Sequence, residues 1–315
     1  MSELTVVLDR REMVVKMDSS AIRIDRLGHK LQRIPLNMIK RVIVIGRPIV
    51  SCDVWRALAQ KNIFVVLLPS KGNSLPVYIG PGLKLSAKYR MAQYKTKTDK
   101  EKILTIGRWL IGMKLNGQKM VLQKLGDKNF EIKSSCQKIE EFKLNLEKVN
   151  TIEGLMGYEG SAASEYFRSL SVLIPDKWKF SGRNKRPPKD PINAILSLSY
   201  VLAGVEIGQI IHRKGLDPAI GLIHSIQESR ESLMLDILEP IRPIIDEFVL
   251  WLAKEKFTLK NFTITNQNGC FLNKNGRKIY YYEWAKWVSG NTNPDIKTLA
   301  KDIVNKMINI FFSSP

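Results

Sequence analysis

Two different spacings of hydrophobic residues divide this chain of 315 residues. In the first 85 residues the apolar positions form short runs of strand length, at Val6 to Leu8, Val14 to Met17, Val42 to Ile45 and Phe64 to Leu68. Ile22 and Ile24 alternate with charged residues, which is the period of a half-buried strand. One helix is expected among these strands, from an apolar stripe at Val54, Trp55, Leu58 and Ala59.

After Leu85 the apolar positions recur at helical spacing. One face is formed by Ile103, Ile106, Leu110, Met113, Met120 and Leu125, and another by Ile139, Phe142, Leu146 and Val149. Helices are expected to continue through Glu159 to Leu170, Asn193 to Lys214, and much of Ile220 to Lys256. The stretch from Phe257 to Lys286 differs, because turn residues precede a β-prone run at Ile279 to Tyr282, and it is expected to form a hairpin or a mobile arm.

These patterns predict an α+β chain with two domains. Residues 1–85 would form a β-rich, sandwich-like domain, and residues 86–315 a larger all-α domain. An apolar fraction of 44% is enough to build a core in each. Within the second domain the long apolar run from Ala194 to Ile211 contains Glu206 and Gln209. A buried helix explains this run better than a membrane span, so no membrane is expected as a partner.

Charge narrows the class of partner. Fifty Lys and Arg residues against thirty Asp and Glu give a formal net charge of +20, and both halves of the chain are basic. Nucleic acid is the commonest cellular polyanion and is the favoured partner, with an anionic membrane surface as the rival. The three cysteines, Cys52, Cys136 and Cys270, are too few and too widely spaced for a disulfide framework or a zinc finger, so a reduced, cytoplasmic protein is expected.

Three separate segments carry the residues that could do chemistry. Glu159 lies beside glycine in the segment Leu155 to Phe167, His224 ends the segment Gly215 to His224, and Glu239 ends the segment Ser232 to Glu239. Two carboxylates and an imidazole suit Mg²⁺ or Mn²⁺, which neutralises charge and activates a hydroxyl in phosphodiester chemistry. These three residues are therefore candidate metal ligands and catalytic residues.

Spacing tests this hypothesis. On one continuous helix His224 and Glu239 would lie roughly 22 Å apart, so the chain must break between them if both bind one ion. The polar residues 225–232 suit such a break. Asp236 shares a helix face with Glu239, so it could either orient a ligand or serve as the third ligand itself. The spacing alone leaves the choice between the two carboxylates open.

A basic segment from Phe180 to Asn193 is the second candidate for function. Its cations are Arg183, Lys185, Arg186 and Lys189, stiffened by prolines. Such residues position a nucleic acid through its phosphates without reading sequence, although a solvated basic loop has the same composition. Asn193 could cap the following helix or make a polar contact near the metal.

Taken together, these motifs resemble the Cas-one family of CRISPR adaptation integrases. The resemblance rests on four motifs in order, between about Glu153 and Asp246: Gly157-Tyr158-Glu159-Gly160 followed by Tyr166-Phe167, the basic segment Phe180 to Asn193, Gly215-Leu216-Asp217-Pro218 through His224, and Arg230 through Asp236, Glu239 and Arg242-Pro243. It implies metal ligands at Glu159, His224 and Glu239. Tyr166 and Asn193 would support these ligands or replace one of them, and Arg183 would contact the nucleic acid.

The resemblance also implies a function and partners. The family's members insert short DNA fragments, or spacers, into a CRISPR array by attack of a 3′-hydroxyl on a phosphodiester. The expected partners are double-stranded and branched DNA, a second copy of the chain joined through residues 1–85, and the small Cas-two protein, in a prokaryotic cytoplasm. Two alternatives are a non-catalytic basic DNA-binding scaffold and a related transposon-borne integrase.

Overall fold

Strands precede helices along this chain, as predicted, so the α+β fold class is confirmed. The computed structural model describes residues 4–68, 77–80, 87–126, 128–184, 187–228, 230–265, 269–289 and 295–313, apart from the side chain of Tyr78. The chain divides into two compact units, Met1–Leu85 and Ser86–Pro315.

The first unit contains two four-stranded sheets within its described residues. Its elements are β1 Leu4–Leu8, β2 Met13–Asp18, β3 Ala21–Arg26, β4 Gln32–Pro35, β5 Ile39–Val44, β6 Ile49–Val50, α1 Cys52–Gln60, β7 Phe64–Leu67 and β8 Val77–Ile79. The strand orders are β1-β5-β7-β8 and β4-β3-β2-β6. Strand β5 runs parallel to both β1 and β7, whereas β3 is antiparallel to β2 and β4.

One apolar core joins the two sheets and the helix of this unit. Ile22 and Ile24 of β3 are buried, as their alternation with charged residues predicted, and they share a cluster with Val42 of β5 and Leu58 of α1. The sheets therefore have the sandwich-like relation that the sequence indicated.

The second unit is mainly helical. Its elements are α2 Ala87–Thr98, α3 Lys100–Gly126, α4 Phe130–Asn145, α5 Ile152–Leu173, α6 Pro191–Lys214, α7 Ser232–Leu238, α8 Arg242–Glu255, β9 Phe262–Thr265, β10 Gly269–Leu272, α9 Lys274–Ser289 and α10 Ile296–Phe312. Helix α3 packs against α4, α5 and α8, and against the 3₁₀ turn Glu239–Ile241 that joins α7 to α8.

Helix α6 is long and apolar enough to cross a membrane by length and composition, but 83% of its most apolar window is buried within the protein. This burial is what the sequence predicted for a core helix that carries Glu206.

Much of Ile220 to Lys256 was expected to be helical, and α7 and α8 confirm this for the greater part of the stretch. Residues 215–228, which precede them, form no helix, so the chain re-enters a helix only at α7. The backbone N–H groups of residues 222–224 donate to the Asp236 carboxylate instead of to helical carbonyls. The break that a shared metal site requires is therefore present, and it is longer than predicted.

The β-prone run Ile279 to Tyr282 lies in helix α9 rather than in a strand. Tyr280, Trp284 and Val288 recur every four residues and all three are buried, so a helical face overrides the local β propensity. The expected hairpin is present upstream, where β9 and β10 pair antiparallel.

Close packing of residues 215–228 on α7 generates a prediction about two glycines. A Cβ on Gly221 would lie 2.6 Å from Cβ and 2.8 Å from the carbonyl carbon of Ser232, whereas a Cβ on Gly160 in α5 meets nothing within 4 Å. Gly221→Ala should lower the free energy of unfolding by about 1–3 kcal/mol, because backbone must move. Gly160→Ala should raise it by about 0.5–1 kcal/mol, because alanine favours a helix. Urea unfolding followed by circular dichroism measures both, and equal effects would contradict the packing described.

Candidate active site

Two glutamates from separate helical segments converge on one lysine. Glu159 lies on α5 and Glu239 begins the 3₁₀ turn between α7 and α8. The Lys114 ammonium, on α3, donates to Glu159 Oε1 and to Glu239 Oε2, the second contact at 2.5 Å. The lysine side chain is 6% exposed and the two carboxylates 15% and 8%. The structure thus brings Glu159 and Glu239 together around a single positive charge.

His224 lies beside this pair and is held in one orientation. Its Nδ1 lies 2.7 Å from Asp236 Oδ1, and its Nε2 lies 4.0 Å from Glu239 Oε1. A carboxylate can only accept a hydrogen bond, so Nδ1 is the donor of this pair, and in the corresponding neutral tautomer Nε2 presents its lone pair. The imidazole is therefore oriented with its free nitrogen on the side of Glu239, the arrangement typical of a metal-binding histidine.

Asp236 is fully buried and both of its oxygens are occupied. Oδ1 accepts from the His224 backbone N–H at 2.9 Å in addition to the ring, and Oδ2 accepts from the N–H groups of Leu222 and Ile223. This carboxylate positions the imidazole and its backbone. Of the two carboxylates that the spacing left open, Glu239 is the better candidate for the third ligand.

Arg242 fixes Glu239 from the other side. Its Nε donates to Glu239 Oε1 at 3.0 Å, and its guanidinium lies 4.6 Å from the ring centroid of Tyr200. Burial raises the pKa of Glu239, but the charges of Arg242 and Lys114 outweigh this effect and hold the pKa well below its ordinary value. Glu239 is therefore ionised at neutral pH, as a metal ligand must be.

Tyr166 reaches this region through Asp246 rather than directly. The hydroxyls of Tyr166 and Tyr200 both donate to the Asp246 carboxylate, the first at 3.1 Å. Burial raises the pKa of Asp246 to about 6, against the lowering effect of these hydroxyls and of Arg242. The network stabilises the stack of Tyr200 on Arg242, and through it the carboxylate of Glu239.

Asn193 organises the basic segment. It is fully buried; its amide donates to Gly182 O and Asp190 Oδ2, and its Oδ1 accepts from Arg183 at 2.8 Å and from the Asn184 N–H at 3.0 Å. Asp190 caps α6 by accepting from the Asn193 N–H. The predicted role of Asn193 as the helix cap is therefore wrong, because Asp190 is the cap and Asn193 lies inside the first turn of α6. Its side chain instead holds the loop that precedes the helix.

The four cations of the basic segment differ in exposure. Arg183 is mostly buried, bonded to Asn193 and Ser197, and lies 5.4 Å from the Tyr200 ring centroid. Lys189 is exposed. Lys185 and Arg186 lie outside the described residues. Arg183 therefore supports the loop from within, and Lys189 is the described cation that a phosphate could reach.

A divalent cation fits this donor set by its chemistry. Among the described residues no three Asp, Glu, His or Cys side chains stand close enough together to hold a metal ion unaided. The Lys114 ammonium, however, marks a position where one cation is shared by Glu159 and Glu239, with the Nε2 lone pair of His224 adjacent to Glu239. Two carboxylates, one imidazole and water would complete a Mg²⁺ or Mn²⁺ site.

Comparison with known proteins decides the family. Residues 6–286 match the family model described as CRISPR associated protein Cas1. A "CRISPR-associated endonuclease Cas1 1" from Thermodesulfovibrio yellowstonii is 33% identical over 291 residues, covering 90% of this chain and 91% of the relative. The chain belongs to the Cas1 family. The resemblance to the Cas-one family is therefore confirmed, and a Cas1 endonuclease of Thermus thermophilus, 28% identical over 80% of this chain and 75% of its own, agrees with it.

Solved structures show the same fold. A Cas1 protein from Thermotoga maritima matches with a TM-score of 0.87 at 22% identity, covering 99% of this chain and 98% of its own. A structure described as "Casposase bound to integration product" matches with a TM-score of 0.81 at 24% identity, covering 98% and 91%. The α+β architecture of this Cas1 family member is thus shared with both proteins.

Sequence reasoning missed Lys114, Arg242, Tyr200 and Asp246. Lys114 had a detectable signal, because it lies four residues after Leu110 and is flanked by buried Ile111 and Leu115, on the apolar side of α3. A lysine at a buried helix position needs an acidic partner, and glutamates in later segments were already candidates. Arg242 also had a local signal, because its partner Glu239 lies only three residues before it. Tyr200 and Asp246 lacked such a signal, since their hydrogen-bond partners are distant in sequence.

The role of Asp236 yields a prediction. Asp236→Asn keeps the shape but loses one acceptor oxygen, so backbone N–H groups between residues 222 and 224 lose their partner. The free energy of unfolding should fall by about 2–4 kcal/mol in urea titrations. The matched control Asp302→Asn, at an exposed position on α10, should change it by less than about 0.5 kcal/mol. Equal stability of the two variants would contradict the positioning role.

Proposed function

We propose that this Cas1 family member is a divalent-metal-dependent DNA endonuclease and integrase of CRISPR adaptation. The observation that carries the proposal is the convergence of Glu159 and Glu239 on one buried cation, with His224 oriented beside them by Asp236. A non-catalytic DNA-binding scaffold would need the basic charge but not this convergence of buried carboxylates.

The reaction would be strand transfer to a phosphodiester. The 3′-oxygen of an incoming DNA strand attacks phosphorus and loses its proton, the existing bond from phosphorus to the 3′-oxygen of the target breaks, and that oxygen leaves as a new 3′-hydroxyl. Mg²⁺ or Mn²⁺ would neutralise charge on the phosphate and favour ionisation of the attacking hydroxyl. If water attacks in place of the DNA hydroxyl, the same bond breaks and the result is endonuclease cleavage.

The protein's own residues supply position and charge. Glu159, His224 and Glu239 would hold the metal, Arg242 and Asp236 fix two of these ligands, and exposed cations such as Lys189 would hold the DNA backbone. The larger helical unit would thus carry catalysis.

The proposed partners are double-stranded and branched DNA, a second copy of the chain and the small Cas2 protein. Among solved structures of the same fold is a Cas6-RT-Cas1–Cas2 complex, with a TM-score of 0.83 at 19% identity, covering 98% of this chain and 35% of that one. Residues 1–85 are the proposed dimerisation domain. The structure described as "Casposase bound to integration product" agrees with integration as the kind of reaction. Relatives named CRISPR-associated endonucleases match at higher identity, which supports CRISPR adaptation over a transposon-borne integrase.

Ligand variants test the proposed chemistry. Glu159→Ala, His224→Ala and Glu239→Ala should each lower the rate of Mn²⁺-dependent cleavage and strand transfer on branched DNA by at least about 100-fold, because each removes a ligand. DNA affinity should be retained. Glu153→Ala, an exposed glutamate on the same helix as Glu159, is the control. Wild-type turnover in two of the three variants would refute the site, and a wild type whose melting temperature does not respond to Mn²⁺ would favour the scaffold.

Salt dependence tests the basic segment. Lys189→Gln should weaken binding to any double-stranded DNA and reduce the slope of log affinity against log salt by about 0.9, because one phosphate contact is lost. Lys254→Gln removes the same charge from an exposed side chain at the end of α8 and should leave the slope unchanged. Fluorescence anisotropy between low and moderate salt measures both, and equal slopes would exclude a specific role for Lys189.

A further inference from the structure

Lys114 is the feature of the site that the proposed reaction leaves unexplained. Its ammonium is almost entirely shielded from solvent and its two acidic partners are both proposed metal ligands, Glu159 and Glu239. Burying a lysine costs several kcal/mol unless opposite charge and hydrogen bonds compensate. The protein therefore places a costly group at the position where the metal's two carboxylate ligands meet.

The helix that carries Lys114 is held tightly against the site. Three residues further along α3, a Cβ on Gly117 would lie 3.0 Å from Cγ and 3.1 Å from Cβ of Pro243, so α3 touches the first turn of α8. Leu110, Ile111 and Leu115 around the lysine are fully buried. The backbone at position 114 is thereby fixed, while the flexible four-carbon stem lets the ammonium move.

We propose that Lys114 is an internal counter-ion that holds the two carboxylates together until a divalent cation replaces it. The inference rests on the proposed function, because it concerns the same metal site. The carboxylate oxygens that accept from the ammonium would be the metal's ligands, and two cations this close repel strongly. Lys114 and the metal must therefore compete for Glu159 and Glu239.

Competition has two opposite effects on the protein. Without metal, Lys114 separates two buried negative charges that would otherwise repel, so the ligands stay in place. With metal, the ammonium must leave both carboxylates, so its presence lowers metal affinity. The charges of Lys114, Arg242, Glu159 and Glu239 sum to zero in the metal-free cluster. Mn²⁺ would add two positive charges to this cluster, and departure of the lysine's charge would offset one of them.

Removing the charge of Lys114 tests the inference. Lys114→Met keeps the length and apolar packing of the stem. In EDTA its melting temperature should fall by roughly 5–10 °C, because Glu159 and Glu239 lose a shared partner. Its affinity for Mn²⁺, measured by isothermal titration calorimetry without DNA, should rise by about 10- to 100-fold. A lysine with a merely structural role would lower the melting temperature without raising metal affinity.

Lys119→Met is the matched control. Lys119 lies on the same helix, is 29% exposed and pairs with Glu140, which is not a proposed ligand. Its substitution should leave Mn²⁺ affinity unchanged and the melting temperature in EDTA within about 2 °C of wild type. If Lys114→Met does not fold without metal, adding Glu159→Gln removes the repulsion and should restore a folded protein in EDTA.

The outcomes separate this inference from the proposed function. A wild type that binds Mn²⁺, with Lys114→Met binding it equally or more weakly, overturns the counter-ion and leaves the proposed metal site standing. The proposed metal dependence is overturned by a different result: neither the wild type nor a folded Lys114→Met binds Mn²⁺, and the wild type still cleaves DNA in EDTA. The inference is supported if Lys114→Met binds Mn²⁺ more tightly than the wild type and Lys119→Met does not.

Discussion

Three buried carboxylates in one short stretch of chain determine how the helical unit is arranged. Asp236, Glu239 and Asp246 are 0%, 6% and 1% exposed, and each buried negative charge requires donors from elsewhere. Asp236 accepts hydrogen bonds from the backbone N–H groups of residues 222–224 and from the ring of His224. Glu239 accepts a hydrogen bond from Lys114 of α3, and Asp246 accepts from the tyrosines of α5 and α6. Satisfying these charges brings distant segments to one place.

The same requirement gives each proposed ligand a partner before any metal binds. Each proposed metal ligand has a protein partner that fixes its direction: Lys114 for Glu159, Asp236 for His224, and Arg242 for Glu239. Such preorganisation reduces the reorganisation that metal binding and catalysis would otherwise need. In this respect the partners matter as much as the ligands themselves.

Periodicity alone predicted much of the fold, because local spacing reports which face is buried. Ile22 and Ile24 identified β3, and Ile106 and Leu110 identified α3, without knowledge of what covers them. The spacing argument that His224 and Glu239 need a break between them was also sound. Identifying Glu159, His224 and Glu239 as a set needed the ordered motifs of a family as well.

The features that local sequence pattern could not predict depend on contacts with residues far along the chain. Apolar and polar residues alternate at helical spacing in residues 220–228, yet backbone N–H groups of this stretch donate to the Asp236 carboxylate instead of to helical carbonyls. Tyr280 sits in a β-prone run, yet its burial beside Ser199 favours a helix. Lys114 becomes meaningful only when glutamates 45 and 125 residues away are folded against it.

These long sequence separations bear on the protein's synthesis. Lys114, Glu159 and Glu239 lie up to 125 residues apart, so a ribosome must translate three quarters of the chain before the last of them exists. A nascent or truncated product ending before Glu239 contains the basic segment but cannot close the carboxylate cluster. The proposed DNA-binding segment and the proposed cutting site would thus be complete at different moments of synthesis, the cutting site later.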